Sequence, residues 1–219
     1  MTSLTDDDLL DVERDLYKQS LYHLCKYGLG MKDVNWSTHG GMIKNLESDT
    51  KRKLMVLPRG SLKSSVGIVG YSIWRLIKNP NETILIDSEV FENSKNFLRE
   101  IKAHLQSPKM VELFGSFKGI PWGEGEMNIA QRTHVTKEAS ITCGGVNTTK
   151  VGAHYDIILC DDLNSHNNSA TIEGRQKVLT HWKMNVSLLQ PNGTMTLTAT
   201  RYASDDVVGH ILKSLELDA

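Results

Sequence analysis

From Lys51 onward the sequence alternates short apolar runs with longer segments of helical spacing, and that alternation leaves few folds open. Leu54-Met55-Val56-Leu57 is such a run, Ser64 to Ile77 reads as a helix, Thr83-Ile84-Leu85-Ile86 is strand-like, and a second helix is expected from about Glu92 to Leu105. Strand-like segments return at Ser140 to Cys143, Ile157 to Cys160 and Met195 to Ala199, with Ile172 to Leu188 helical between the last two. Strands separated by helices need crossover connections. The pattern therefore predicts an α/β fold, a mostly parallel sheet covered by helices on both faces.

The flanking regions are less regular. Leu9, Val12, Leu16, Leu21 and Leu24 recur at helical spacing from Thr5 to about Tyr27, Thr5 with Asp8 resembles a capping box, and Gly28 and Gly30 end the helix. Met31 to Thr50, with Gly40-Gly41, has no clear period and reads as a connector. Ser107-Pro108 closes the second helix, and the polar, glycine-bearing stretch to about Thr133 is expected to be an insertion or a lid.

With 219 residues the chain has room for one sizeable domain, and 39% hydrophobic with 23% charged residues excludes a wholly disordered, collagenous or coiled-coil chain. Lys and Arg number 25 against 26 Asp and Glu, so a nucleic-acid contact would need a local basic stripe. No apolar run approaches the roughly 18 residues of a membrane span, and the acidic start at Thr5-Asp6-Asp7-Asp8 is unlike a signal segment. Cys25, Cys143 and Cys160 are odd in number and far apart, and the eight histidines form no HExxH or Cys-His spacing. A disulfide framework and a zinc site are therefore not expected, and a reducing cytoplasm is.

Immediately after the first apolar run comes Pro58-Arg59-Gly60-Ser61-Leu62-Lys63-Ser64-Ser65, which opens a helix. Strand, tight loop, Lys-Ser and helix is the order of a phosphate cradle. Backbone N–H groups and the positive helix end hold phosphate oxygens, the Lys reaches the outer phosphates and the hydroxyl binds Mg²⁺. Leu57 and Leu62 stand where GxxxxGK[ST] has its glycines, so an ordinary strand-to-helix turn is an equal reading of this segment alone.

Later, Tyr155 to Cys160 leads into Asp161-Asp162, which places two carboxylates at a strand end, where parallel sheets bind ligands. Asp161 can hold Mg²⁺ through its water shell, and Asp162 can polarise an attacking water. A solvated acidic turn explains the pair equally well in isolation. Together, the Lys-Ser loop and the acidic pair favour a nucleotide site.

At these residues the sequence resembles the ATPase motor domain of the large terminase subunit of tailed bacteriophages. Leu57 to Ser64 is similar to that family's variant Walker A, Ile157 to Asp162 to its Walker B, and Thr198-Ala199-Thr200-Arg201-Tyr202, with Asp205-Asp206 shortly after, to its coupling segment. The resemblance implies a P-loop NTPase fold of the additional-strand, catalytic-glutamate type over residues 1–219. An N-terminal helical subregion is expected at about 1–45, and the nuclease domain that normally follows the ATPase in that family is expected to be absent, since thirteen residues remain after Asp206. The resemblance further implies ATP and Mg²⁺ as ligands and packaging of double-stranded DNA into a procapsid. The portal protein, the small terminase subunit and further copies in a ring would be the partners, with no membrane, in the host cell cytoplasm. In this frame Pro58 to Ser65 bind ATP, Ser64 and Asp161 bind metal, Arg59, Lys63 and Asp162 are catalytic, and Thr198, Thr200 and Arg201 couple hydrolysis to movement. The family's usual glutamate is Asp162 here, one methylene shorter.

Two rivals stay open: a helicase-like or other nucleic-acid-dependent P-loop ATPase, and a non-catalytic nucleotide-binding assembly module. Arg132 and Lys150 are candidates for a cation supplied to a neighbouring subunit, with ordinary surface charge as the simpler reading. His104 and His181 are expected on helix surfaces, and Trp36, Trp74, Trp122 and Trp182 in packing, with Trp36 a candidate border for the base. Lys51-Arg52-Lys53 is the densest basic run, either a solvated strand start or a DNA contact.

Overall fold

The computed structural model describes residues 5–148 and 152–217. Seven strands form one sheet: β1 (Arg52–Val56), β2 (Ile84–Ser88), β3 (Lys118–Trp122), β4 (Glu126–Ile129), β5 (Ile141–Gly145), β6 (Tyr155–Asp161) and β7 (Leu189–Ala199). Their order is β1-β7-β6-β2-β5-β4-β3. The run from β1 to β5 is parallel, and β4 and β3 add an antiparallel edge.

The strands show why the apolar runs are continuous. On β2, Ile84 and Ile86 point into one hydrophobic cluster and Leu85 into another; on β6, Ile157 and Leu159 point one way, Ile158 and Cys160 the other. The two-residue period of a strand thus feeds both faces of a covered sheet. On the first face lie a π-helical turn, Ser65–Gly70, continued by α4 (Tyr71–Lys78), and α5 (Phe91–Leu105), with Val66, Ile68, Tyr71, Leu98 and Ile101 buried against the strands. The second face is covered by α8 (Ile172–Ser187) and α9 (Val207–Leu217), through Val178, Val207 and Val208.

The N-terminal helices pack on the first face. The Thr5–Asp8 capping box is formed and starts α1 (Asp6–Gln19). The helix then breaks at Ser20, whose side chain caps a new short turn, α2 (Leu21–His23), continued by a π-helical turn, Leu24–Gly28. Gly70 allows this layer to approach the helix after β1, since a Cβ there would collide with Cys25 Sγ.

Four expectations are corrected. Met31 to Thr50 is not a connector: it contains α3 (Trp36–Glu47), capped by Asn35 and buried along His39, Met42, Ile43 and Leu46. The two glycines obscured its period, although Gly40 lies against the Trp36 ring. The stretch after Ser107 is not a lid, because it forms α6 (Pro108–Phe114) and the hairpin β3–β4 that extends the sheet. His181 is not on a helix surface but buried, bonded to Asp87 at 2.6 Å, with Asn185 donating to the same carboxylate oxygen at 2.5 Å. Lys53 is likewise not a solvated strand start. It is buried and donates to Leu46 O (2.6 Å) and Ser48 O (2.8 Å), satisfying carbonyls at the C-terminus of α3, while burial lowers its pKa to about 8. Among the described residues no helix is long and apolar enough to cross a membrane.

Candidate functional site

β1 ends with Leu57 N–H bonded to Ala199 O, and the chain turns through Pro58 to Leu62 before helical structure starts at Lys63. Two residues of this turn have positive φ: Gly60 at 79° and Leu62 at 53°. The left-handed conformation expected of a loop glycine is therefore kept at Leu62 without the glycine. The strain of about 1–2 kcal/mol is offset by packing of the half-buried side chain against the main core.

The turn delivers Lys63 and Ser64 to the end of β6. Lys63 is buried, and its ammonium donates to Asp162 Oδ1 at 2.9 Å and Thr200 Oγ1 at 2.6 Å. The Thr200 backbone N–H donates to the same Asp162 oxygen at 2.8 Å. Asp162 sits at φ 40°, a left-handed conformation that Asp tolerates better than most residues, with its N–H bonded to Thr198 O. Ser64 Oγ donates to Asp161 across both carboxylate oxygens, at 2.8 and 3.0 Å. Burial raises the Asp161 pKa to about 6, with the Asp162 charge adding to the rise and the Ser64 bond and Lys63 opposing it.

This arrangement is possible because β7 lies between β1 and β6. The extra strand spaces the loop from the acidic pair, carries Thr198 between them and leads directly into Thr200. Among the described residues, Thr198 Oγ1 is buried without a hydrogen-bond partner, as is Ser61 Oγ inside the loop. Buried orphan hydroxyls of this kind suit a polar ligand in the cradle. Ser64 and Asp161 suit Mg²⁺, which is held by few protein oxygens and keeps water and phosphate in its shell. Among the described residues no group of three or more His, Cys, Asp or Glu is placed to hold a metal.

Two solved structures resemble this one. The large terminase ATPase domain of Thermus phage P74-26, in a mutant form, superposes with a TM-score of 0.51 and 14% identity over 80% of this chain and 68% of that one. The S. cerevisiae protein dbp5, bound to nup159, gle1, ip6 and adp, superposes with a TM-score of 0.51 and 12% identity over 97% of this chain and 50% of that one. The present chain thus spans half the length of dbp5. No protein-family model and no curated protein matches the sequence. What is shared with both solved structures is the fold, an α/β arrangement with a mostly parallel sheet flanked by helices.

Other expected residues lie at the rim of the site or are engaged elsewhere. Pro58 and Arg59 lie at the open mouth of the loop, where the exposed Arg59 donates to Tyr202 Oη at 2.5 Å and sits over the Tyr202 ring. Ser65 begins the π-helical turn. Arg201 is exposed and bonded only to Ala203 O, at 3.4 Å, among the described residues. Arg132 is engaged by its own segment, donating to His134 O, Asn128 Oδ1 and Thr136 Oγ1. Lys150 lies outside the described residues. Trp36 is half-exposed, with the Lys44 ammonium over its ring.

The groups that hold the site together escaped the sequence patterns. Asp206 is buried and braces the coupling segment, accepting from the N–H groups of Tyr202, Ala203 and Gly209 and so capping α9. A carboxylate directly before Val207-Val208 is an N-cap signal that could have revealed it. Asn164 accepts from Val207 N–H at 3.3 Å and Asp205 pairs with Arg175 of α8 at 2.8 Å. Glu89, just beyond β2, accepts a short hydrogen bond from Ser165 Oγ in the loop that leaves β6. No local pattern announces these long-range contacts.

Proposed function

We propose that this chain is a Mg²⁺-dependent ATPase domain whose cycle moves double-stranded DNA, the cargo being a viral genome packaged into a procapsid. The observation that carries the ATPase reading is the convergence of Lys63 and Ser64, at a helix start, on Asp161 and Asp162, at the end of a strand two places away in the sheet. Backbone N–H groups of residues 59–65 and the positive helix end bind the phosphates. Lys63 exchanges Asp162 and Thr200 for phosphate oxygens, and Ser64 with Asp161 holds the metal. Mg²⁺, when bound, neutralises phosphate charge. Arg59, exposed at the mouth, turns from Tyr202 onto the outer phosphate.

The same exchange gives a route from nucleotide to motion. Releasing Lys63 frees Thr200 and Asp162, and the segment after Thr200 is tied to α9 through Asp206 and to α8 through Asp205. Thr198, Thr200 and Arg201 therefore couple phosphate binding to the helices on the second face.

The packaging assignment is supported by the motif order and by the likeness to a terminase ATPase domain over 68% of its length. It carries with it a portal protein, a small terminase subunit and a ring of copies as partners. A second reading, a P-loop ATPase serving another nucleic-acid process, is supported by the equal TM-score to dbp5. Phosphate release from Mg·ATP, measured alone, with linear double-stranded DNA and with RNA, separates them. Stimulation by double-stranded DNA is expected, and stimulation by RNA alone would favour the second reading.

A further inference from the structure

A carboxylate that activates water has to face the transferred phosphoryl group, and in this structure Asp162 is the ion-pair partner of Lys63. Its Oδ1 accepts from both the Lys63 ammonium and the Thr200 N–H, and its backbone is locked at positive φ between β6 and β7. A second carboxylate is placed at the same level. β2 runs parallel to β6 with Ser88 opposite Asp161, so Glu89 comes after β2 where Asp162 comes after β6. Adjacent strands are about 4.8 Å apart. Glu89 thus stands at the catalytic end of the sheet, on the side of β6 away from the loop that carries Lys63.

Glu89 is also held in place. Its carbonyl and that of Ser88 both accept from Val146 N–H, at 3.2 Å, which fixes the end of β2 to the end of β5. Its Oε1 accepts from Ser165 Oγ, and Ser165 is itself the N-cap of α7 (His166–Ser169) within a complete capping box. Oε2 has no hydrogen-bond partner, and no cation pairs with the side chain, among the described residues. The residue is half-buried, so a water can reach it. It also has the side-chain length that Asp162 lacks.

Resting on the ATPase reading, we propose that Glu89 is the catalytic residue that takes the proton from the attacking water, with Ser165 as its positioning residue. The water oxygen bonds to the γ-phosphorus, the bond from that phosphorus to the bridging oxygen breaks with its electron pair leaving on ADP, and the proton passes to Glu89. Asp162 and Thr200 then serve to hold and release Lys63.

The test uses the full chain and two readouts, binding of a fluorescent ATP analogue with Mg²⁺ and steady-state phosphate release. Glu89→Gln keeps an oxygen for Ser165 and should bind the analogue within about twofold of the parent while losing at least ~100-fold in kcat, the range of a missing general base. Asp162→Asn should shift nucleotide affinity and keep kcat within about tenfold. Ser165→Ala, which leaves Glu89 intact but loose, should lower kcat with KM unchanged. Turnover of Glu89→Gln within about fivefold of the parent would overturn the proposal, as would normal turnover in Ser165→Ala together with complete loss in Asp162→Asn. A parent chain that binds Mg·ATP and releases no phosphate would also overturn it while leaving the nucleotide site standing. Failure of the parent to bind the analogue would remove the ATPase reading itself.

Discussion

Asp161→Asn should make the metal-free protein more stable while destroying its response to Mg²⁺. Asp161 is 5% exposed, and its pKa rises from an ordinary 3.8 to about 6, chiefly through burial. A rise of that size corresponds to roughly 3 kcal/mol of destabilisation once the group is charged. For a carboxylate raised on folding, this cost is absent below pH 3.8, where folded and unfolded chains are both protonated. It grows as pH rises towards 6 and is complete above that. At pH 7.5 the amide should therefore recover up to ~3 kcal/mol, or roughly 6–12 °C in Tm for a domain of this size, since its oxygen can still accept from Ser64. Thermal unfolding of parent and variant in EDTA, repeated at pH 7.5, 6 and 4.5, gives the difference free of other titrating groups. The gap should favour the variant at pH 7.5 and shrink steadily on acidification, and Mg·ATP should raise the Tm of the parent only. A variant less stable than the parent at pH 7.5, or a gap indifferent to pH, would refute the claim that burial of this charge is a cost accepted for metal binding.

Two further outcomes test the scaffold. Leu62→Gly should leave stability within about 1 kcal/mol of the parent by denaturant unfolding, because relief of the left-handed strain offsets the lost packing, whereas an ordinary core leucine truncation costs about 2–5 kcal/mol. Lys53, with its pKa lowered to about 8 by burial, should make the parent gain stability as pH rises from 8 towards its ordinary value of 10.5, since the unfolded chain alone is then protonated. Urea unfolding of Lys53→Met across that range should lack this rise.

The chemistry of the site was more legible in the sequence than its support. Pro58 to Ser65 and Asp161-Asp162 could be found because each sits directly after an apolar strand run, where the periodicity changes sharply. The position of β7 between β1 and β6 is a matter of sheet topology, which no local pattern encodes. Leu62 hid its conformation because left-handed geometry is ordinarily signalled by glycine. Glu89 with Ser165 and Asp87 with His181 lie 76 and 94 residues apart, so only the fold unites them. The hairpin β3–β4 escaped notice because Gly119, Pro121, Gly123 and Gly125 weaken any strand signal, and α3 because Gly40-Gly41 interrupts an otherwise apolar face.

Lys63 is the group on which the whole account converges, since it joins the loop to Asp162 and Thr200 and is the intended partner of the outer phosphates. The most direct measurement is Mg²⁺-dependent phosphate release by the parent chain and by Lys63→Ala, with circular dichroism to confirm that both are folded. Measurable turnover is expected in the parent and, in the folded variant, loss of turnover with strongly weakened nucleotide binding. Turnover in folded Lys63→Ala close to that of the parent would contradict this expectation.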